Sequence, residues 1–287
     1  MIKKSRKVRD YKELTKALPT MSYLNPESVF IHLQNGRCKT YDLYVKEGDK
    51  VKLGEVIGVR HGGFFEQPIH STVSGTIGTI SKKLHRTGRK VDCIEIRNDF
   101  KNTYHESVTD RPDSVIATLT QDDMVEILKE KSLVGLGGSG FPSYVKLGTK
   151  EKINTVVINA VECEPYLTSD HRLMLEKADE MLIGIQILMK ALSVNSALIG
   201  VENNKPDAID HLNKLVVNYP GVEVHPLKVQ YPQGGEKQLI KAFINREIPS
   251  GGLPLNVGAV VHNVGTAFAV YEAVQKNKPL IERLQDR

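Results

Sequence analysis

A chain of 287 residues with 40% apolar and 25% charged side chains has ample material for a buried core and room for two domains, which excludes the disordered and fibrous classes. Its 39 basic and 34 acidic groups leave a net charge of only +5, and no aromatics are interleaved with the basic residues, so a nucleic-acid surface is not expected. Three cysteines, Cys38, Cys93 and Cys163, are far apart and odd in number; they exclude a disulfide framework and match no metal-spacing pattern.

In chain order, residues 1–27 have no strong period and read as an arm, with part of the positive excess carried by a solvated terminus in its first nine residues. No apolar h-region follows Met1-Ile2-Lys3-Lys4, and the longest apolar tract, 181–192, is interrupted by Gln186 and Lys190. That tract is too short to span a bilayer, so the expectation is a cytoplasmic chain without a transmembrane segment of its own. Residues 28–98 change character. Around Gly-Asp and Leu-Gly turns, 45–58 alternate apolar with polar residues, and 69–77 repeat the pattern, which predicts short strands joined tightly. The two half-motifs resemble the barrel-sandwich fold of biotinyl and lipoyl carrier domains. Such carriers present a modifiable lysine between the halves, and residues 60–68 contain none, so a structural or docking role is expected. His61, His70 and His85 share no ligand spacing and read as surface or hydrogen-bonded histidines rather than metal ligands. Residues 99–120, polar and poor in apolar positions, read as an exposed connection.

The domain predicted over 121–287 opens with Asp122-Asp123 before Met124, Val125, Ile127 and Leu128, a capped amphipathic helix. Behind it comes the densest glycine run of the chain, Gly135-Leu136-Gly137-Gly138-Ser139-Gly140-Phe141-Pro142, followed by Lys146. Glycines free the backbone to point N–H groups into one concavity, and a lysine six residues on supplies a fixed positive charge, so the stretch reads as a phosphate cradle. Gly135, Gly137 and Gly140 satisfy G-x-G-x-x-G in spacing, but a helix and not a strand precedes them, and no G-K-[ST] follows. A nucleotide or flavin site of a different kind remains.

From there strands and helices alternate: strand 155–159, a helix over about 170–192 capped by Ser169 or Asp170, strand 196–201, a helix opened by Pro206, strand 222–229, helix 235–245, strand 258–261 and helix 264–275. The pattern predicts a Rossmann-like α/β fold, a mostly parallel sheet with helices on both faces, whose ligands bind beyond the carboxyl ends of the strands. Three segments lie there, 159–166, 231–237 and 262–266. Asn159, Asn263 and Thr266 offer amide and hydroxyl groups to an isoalloxazine edge or ribityl chain, with a helix-capping role open for Asn263 and Thr266. Tyr231, Gly234 and Gly235 suit the neighbourhood of a flat ring, and Glu162, Glu164 and Glu236 suit ribose hydroxyls or a nicotinamide amide.

The glycine run, residues 159–174, Tyr231-Pro232-Gln233-Gly234-Gly235-Glu236-Lys237 and Pro249-Ser250-Gly251-Gly252-Leu253-Pro254 together resemble the RnfC family of Rnf electron-transport complexes and its PrdC-like relatives. More distantly, the last two thirds resemble the flavin-binding, NADH-oxidising subunit of respiratory complex I. The resemblance implies FMN held by Gly135, Gly137, Gly138, Gly140, Lys146, Asn159, Glu162, Tyr231, Gly234, Asn263 and Thr266. Phe141, Glu164 and Glu236 then fall where NADH is contacted, with Glu236 the candidate catalytic residue. Leu136, Val161 and Gly235 depart from the pattern, standing where the complex I protein carries an arginine, an acidic residue and a glutamate. Other subunits of a membrane electron-transport complex are the implied partners, with a peripheral place on the inner face of the cell membrane. Iron–sulfur clusters are expected only in a further cysteine-rich part that such proteins carry beyond the equivalent of Arg287. The competing expectation is a non-catalytic docking subunit that keeps the fold without a cofactor.

Overall fold

The computed structural model describes residues 9–22, 25–36, 38–63, 65–138, 140–230 and 233–282. The expected basic terminus therefore lies, apart from Arg9, outside the described residues. Among the described residues, seven strands form the first half: β1 (Ser28–His32), β2 (Thr40–Leu43), β3 (Lys50–Val51), β4 (Val56–His61), β5 (Glu66–His70), β6 (Gly75–Leu84) and β7 (Lys90–Asn98). They make two antiparallel sheets, ordered β1-β7-β6-β3 and β2-β4-β5. Alternation along the strands turns Ile57, Ile69, Ile77, Ile94 and Ile96 inward, where with Leu33 and Val51 they form one dry core. Each such side chain contributes roughly 1.5–3 kcal/mol on burial. The β4–β5 connection, where a carrier domain would present its lysine, is the glycine-rich turn at Gly62 and Gly63. Intact-mass measurement on the purified chain is expected to show no lipoyl or biotinyl addition; a mass shift matching either group would contradict the docking role.

Residues 99–120 are mostly exposed but contain a short helix, α1 (Asp113–Thr118). Arg111 pins the segment, donating to the Ala273 carbonyl at 3.1 Å and to Asn277 Oδ1 at 2.6 Å. Helix α2 (Gln121–Glu130) follows, started by Thr120 rather than by Asp122 or Asp123. Thr120 Oγ1 accepts from the Asp123 amide at 3.2 Å and the Asp123 carboxylate accepts from the Thr120 amide at 2.8 Å, a reciprocal capping box.

Beyond a one-turn helix α3 (Ser143–Leu147), the chain runs β8 (Thr155–Ala160), α4 (Ser169–Glu176), α5 (Ala178–Ala191), β9 (Ala197–Glu202), α6 (Pro206–Leu215), β10 (Val222–Leu227), α7 (Glu236–Ile244), β11 (Ala259–Asn263) and α8 (Val264–Val274). The sheet is wholly parallel in the order β10-β9-β8-β11. The large core on one face collects Met124, Leu128, Met181, Ile185, Leu188, Leu212 and Val270 from α2, α5, α6 and α8. On the other face Leu239 and Ile240 of α7 close over Val157, Ala259 and Val261. Helices α5 and α8 approach so closely that a Cβ on Gly184 would sit 1.9 Å from the Ala267 carbonyl oxygen, so only glycine fits there.

The single helix expected over 170–192 is two. Lys177 leaves the helical region at φ −136°, ψ 33°, which lets α4 pack against α6 while α5 lies along α8. The expected cap is also different: Thr168 occupies the capping position without a side-chain bond to the helix amides, and the Asp170 amide is taken by Glu162 instead.

Candidate functional site

The glycine run is a closed loop. Val134 and Pro142 form an antiparallel bridge, the Gly135 amide donates to the Phe141 carbonyl at 2.8 Å, and the Gly140 amide donates to the Gly135 carbonyl at 3.1 Å. Gly138 at φ 95° and Gly140 at φ 55° take the left-handed conformation, and a Cβ on either would meet open space. Gly137 has a different reason to be glycine. Its φ is not positive; a Cβ there would lie 3.0 Å from Asn263 Cβ and 3.5 Å from its Cγ, so the loop lies against the start of α8. The Leu136 amide donates to the buried Thr266 Oγ1 at 3.0 Å, which fastens the loop to the first turn of that helix.

The segments beyond β8 and β11 meet this loop. Asn263 Oδ1 caps α8 by accepting from the Gly265 amide at 2.8 Å, while its Nδ2 donates to Asp170 Oδ2 at 2.7 Å and to the Asn159 carbonyl at 3.3 Å. Asn159 Nδ2 donates to the Gly234 carbonyl at 2.9 Å and its Oδ1 accepts from the Val161 amide at 3.0 Å, joining the end of β8 to the loop before α7. Lys146 Nζ, on α3, donates to Glu236 Oε1 at 2.8 Å and to the Val261 carbonyl at 3.1 Å. The lysine expected as a fixed cation and the glutamate expected at the nicotinamide are thus paired with each other. This pair is partly exposed and contributes at most about 1 kcal/mol, so an incoming anion can compete for the ammonium.

Glu162 is buried one layer further in; its Oε1 accepts from the Asp170 amide at 2.8 Å and its Oε2 lies 3.6 Å from Lys12 Nζ. Glu164 turns its carbonyl to the same ammonium at 3.0 Å. Tyr231 and Ser139 lie outside the described residues. Hydrogen bonds and close contacts thus link Gly135, Gly137, Gly140, Phe141, Asn159, Gly234, Asn263 and Thr266 into one network and pair Lys146 with Glu236, while Glu162 joins the network through Asp170. Sequence reasoning missed Asp170, Lys12 and the buried Glu202–Lys205 pair, whose charged atoms are 2.8 Å apart. A Glu-Asn-Asn-Lys run just past a predicted strand was the signal for that last pair. A lone lysine in an aperiodic arm carries none.

Two imidazoles are held neutral by burial. Burial pushes His262, on β11, down to about 3, and the nearby Lys146 charge adds to the effect. His70, on β5, is held at about 3 by burial and by the charges of Lys131 and Arg60. Burial raises the half-buried Cys163 thiol, which makes it an inert small side chain rather than a nucleophile. Among the described residues no group of three or more histidines, cysteines or carboxylates is arranged to hold a metal ion.

The chain thus combines a barrel sandwich with a parallel α/β domain whose glycine loop lies at the strand ends. Residues 128–272 match the family model of the Nuo51 FMN-binding domain, and residues 2–101 match that of the RnfC barrel sandwich hybrid domain. The chain belongs to the family of the Nuo51 FMN-binding domain and carries that domain in the RnfC arrangement, behind an RnfC barrel. It is 39% identical over 274 residues to the C subunit of the Na(+)-translocating ferredoxin:NAD(+) oxidoreductase complex of Acetobacterium woodii, a match covering 95% of this chain and 61% of the relative. For the C subunit of the proton-translocating ferredoxin:NAD(+) oxidoreductase complex of Clostridium ljungdahlii the identity is 38% over 277 residues, with 96% and 60% covered. The C subunit of the ion-translocating oxidoreductase complex of Serratia proteamaculans is 36% identical over 278 residues, with 96% and 39% covered. The chain therefore spans at most about three fifths of the length of these curated relatives. Among the described residues no helix is long and apolar enough to cross a membrane.

Proposed function

We propose that this chain is the electron-entry module of an Rnf-type oxidoreductase or a PrdC-like carrier: it holds FMN in the glycine cradle and brings NADH against it. The observation that carries this is the closure of the 135–140 loop on the start of α8, with two left-handed glycines facing open space, inside the stretch that matches an FMN-binding family. The residues fit the group. Loop amides of the 135–140 run, together with Lys146, hold the phosphate; Asn159 and Asn263 orient the ribityl chain and ring edge; Gly234 borders the ring plane. Bound FMN supplies the hydride acceptor, and the protein's part is positioning and electrostatics. Phe141, Glu164 and Glu236 receive the nicotinamide nucleotide, with Glu236 at the reacting end. The names of the relatives, subunits of ferredoxin:NAD(+) oxidoreductase complexes, favour a place among other subunits, peripheral to a cytoplasmic membrane face.

Titration of FMN into the purified chain, followed by quenching of flavin fluorescence, tests the proposal. Saturable binding is expected, and Lys146→Ala is expected to weaken it by about 1.5–3 kcal/mol, one charge-assisted bond to phosphate. A chain that ignores FMN would instead be a docking subunit that keeps the fold without the cofactor.

A further inference from the structure

The N-terminal arm is fastened along one side and turns leucines outward on the other. The Tyr166 amide donates to the Asp10 carbonyl at 2.8 Å, Thr15 Oγ1 donates to the Tyr166 carbonyl at 3.3 Å, and the Lys12 ammonium donates to the carbonyls of Glu164 and Leu167. These bonds hold the arm against the loop that joins β8 to α4. Between them the chain makes a helical turn, a 3-10 segment over Lys12–Leu14 continued by the Lys16 amide donating to the Lys12 carbonyl at 3.0 Å and the Leu18 amide to the Thr15 carbonyl at 2.9 Å. Lys12 and Thr15 face the loop, so Leu14 and Leu18, four residues apart, share the opposite side. They are 63% and 60% exposed. Tyr166 and Leu167, on the loop to which the turn is bonded, are exposed as well, at 53% and 39%. Tyr166 is held in place by Tyr11, whose ring stacks on it with centroids 5.0 Å and planes 5° apart. A lone exposed leucine is ordinary, but several large apolar side chains on one fixed surface mark a place of contact.

The distribution of charge says what kind of contact. Of the 39 basic and 34 acidic side chains, seven and two lie in the first twenty residues, so the rest of the chain carries 32 of each and the whole net charge of +5 belongs to the arm. Lys3, Lys4, Arg6, Lys7 and Arg9 directly precede the leucine turn with no acidic residue among them. Of the carboxylates beside the turn, Glu13 is paired with Arg9 at 3.5 Å and Glu176 with Arg172. A basic segment followed by exposed leucines and a tyrosine suits an anionic bilayer: lipid phosphates attract the cations, leucines enter the boundary of headgroups and acyl chains, and tyrosine rings sit at headgroup level. Nucleic acid fits less well, because its backbone gives leucines nothing to bury against and the basic residues have no base-stacking aromatics between them. We propose that the N-terminal arm is a membrane-docking surface, on which Leu14, Leu18, Tyr166 and Leu167 enter the surface of an anionic bilayer and the basic residues from Lys3 to Arg9 meet its lipid phosphates. The loop under the arm leaves the carboxyl end of β8, so docking turns the strand-end edge of the α/β domain towards the membrane. The inference gives a physical basis to the peripheral place proposed above and is independent of the flavin assignment.

Sedimentation of the 287-residue chain with vesicles tests it, using phosphatidylcholine alone and phosphatidylcholine with phosphatidylglycerol in equal parts. Binding to the anionic vesicles only is expected, and it is expected to fall tenfold or more between about 0.1 and 0.5 M salt. Replacing Lys3, Lys4, Arg6 and Lys7 together with glutamine is expected to weaken binding at least tenfold, each cation near such a surface being worth about fivefold. Leu14→Ser with Leu18→Ser, which leaves the charge unchanged, is expected to weaken it roughly tenfold or more; both side chains are exposed, so the urea midpoint stays where it was. The chain has no tryptophan, so Leu18→Trp supplies a single reporter, whose emission is expected to shift to the blue on anionic vesicles. A chain that leaves anionic vesicles unbound takes any membrane place through other subunits, and the proposal falls. It falls equally if the leucine variant binds as tightly as the wild type, or if polyuridylate binds the chain as tightly as the vesicles do while the tryptophan stays unshifted on vesicles. FMN titration judges the electron-entry reading separately from all of these results.

Discussion

Replacing Gly137 with valine is expected to lower FMN affinity by on the order of a hundredfold, about 2.7 kcal/mol, while the chain remains folded. The reason is contact and not backbone conformation. A Cβ at this position already stands 3.0 Å from Asn263 Cβ, and two γ-methyl groups add to the conflict. Asn263 cannot move away cheaply, since its amide joins the cap of α8, the Asp170 carboxylate and the end of β8. The loop must therefore lift, taking the phosphate-facing amides with it. Displacing the cap costs the fold only about 0.5–2 kcal/mol, which leaves a folded domain in which to measure binding. Gly137→Ala is expected to show the same effect in smaller measure. Equal affinity in Gly137→Val and wild type, by fluorescence titration, would remove the loop from the site.

The second large effect is acid destabilisation. His70 and His262 sit at about 3 in the folded chain against an ordinary value of 6.5, for burial first and neighbouring cations second. A depressed imidazole is neutral when folded and takes up a proton on unfolding, so between pH about 6.5 and 3 the unfolded chain binds more protons and stability falls as pH falls. Each group contributes a slope approaching about 1.4 kcal/mol per pH unit in that window. Together they remove up to about 7 kcal/mol by about pH 4, enough to unfold a chain at the lower end of the typical range of about 5–15 kcal/mol. The carboxylates of Asp207 and Glu176, held low by His171 and by Thr20 with Arg172 against the opposing effect of burial, act in the same direction at still lower pH. Urea unfolding measured from pH 7 to 4 checks this. His70→Phe and His262→Phe are each expected to flatten the profile, and an unaltered profile in both would contradict it.

The cradle was legible because four glycines in six residues suit a tight concave loop and little else, and the convergence on one sheet edge followed from four β-then-α units. Of the two roles the sequence offered Asn263, the structure has the cap: Oδ1 caps α8, while Nδ2 is bonded to Asp170 and to the end of β8. Thr266 was open to the same capping objection, yet its hydroxyl reaches the glycine loop. What the sequence could not show were relations set by tertiary packing. The break at Lys177 has no glycine or proline to announce it and reflects two helices that need different directions. The role of Gly137 looked like a matter of φ and is one of space. Lys146 and Glu236 were each assigned to a ligand, and only their placement shows that they pair with each other. Lys12 is some 150 residues from Glu162, so no local pattern marks it.

The proposed electron-entry role requires that the cradle hold a flavin within reach of a nicotinamide nucleotide. The most direct test is anaerobic addition of NADH to the FMN-loaded chain while its visible flavin absorption is followed. Bleaching of the band at a rate that saturates with NADH, and that Glu236→Gln slows, is the expected result. A bound flavin that keeps its colour under excess NADH would contradict the electron-entry role.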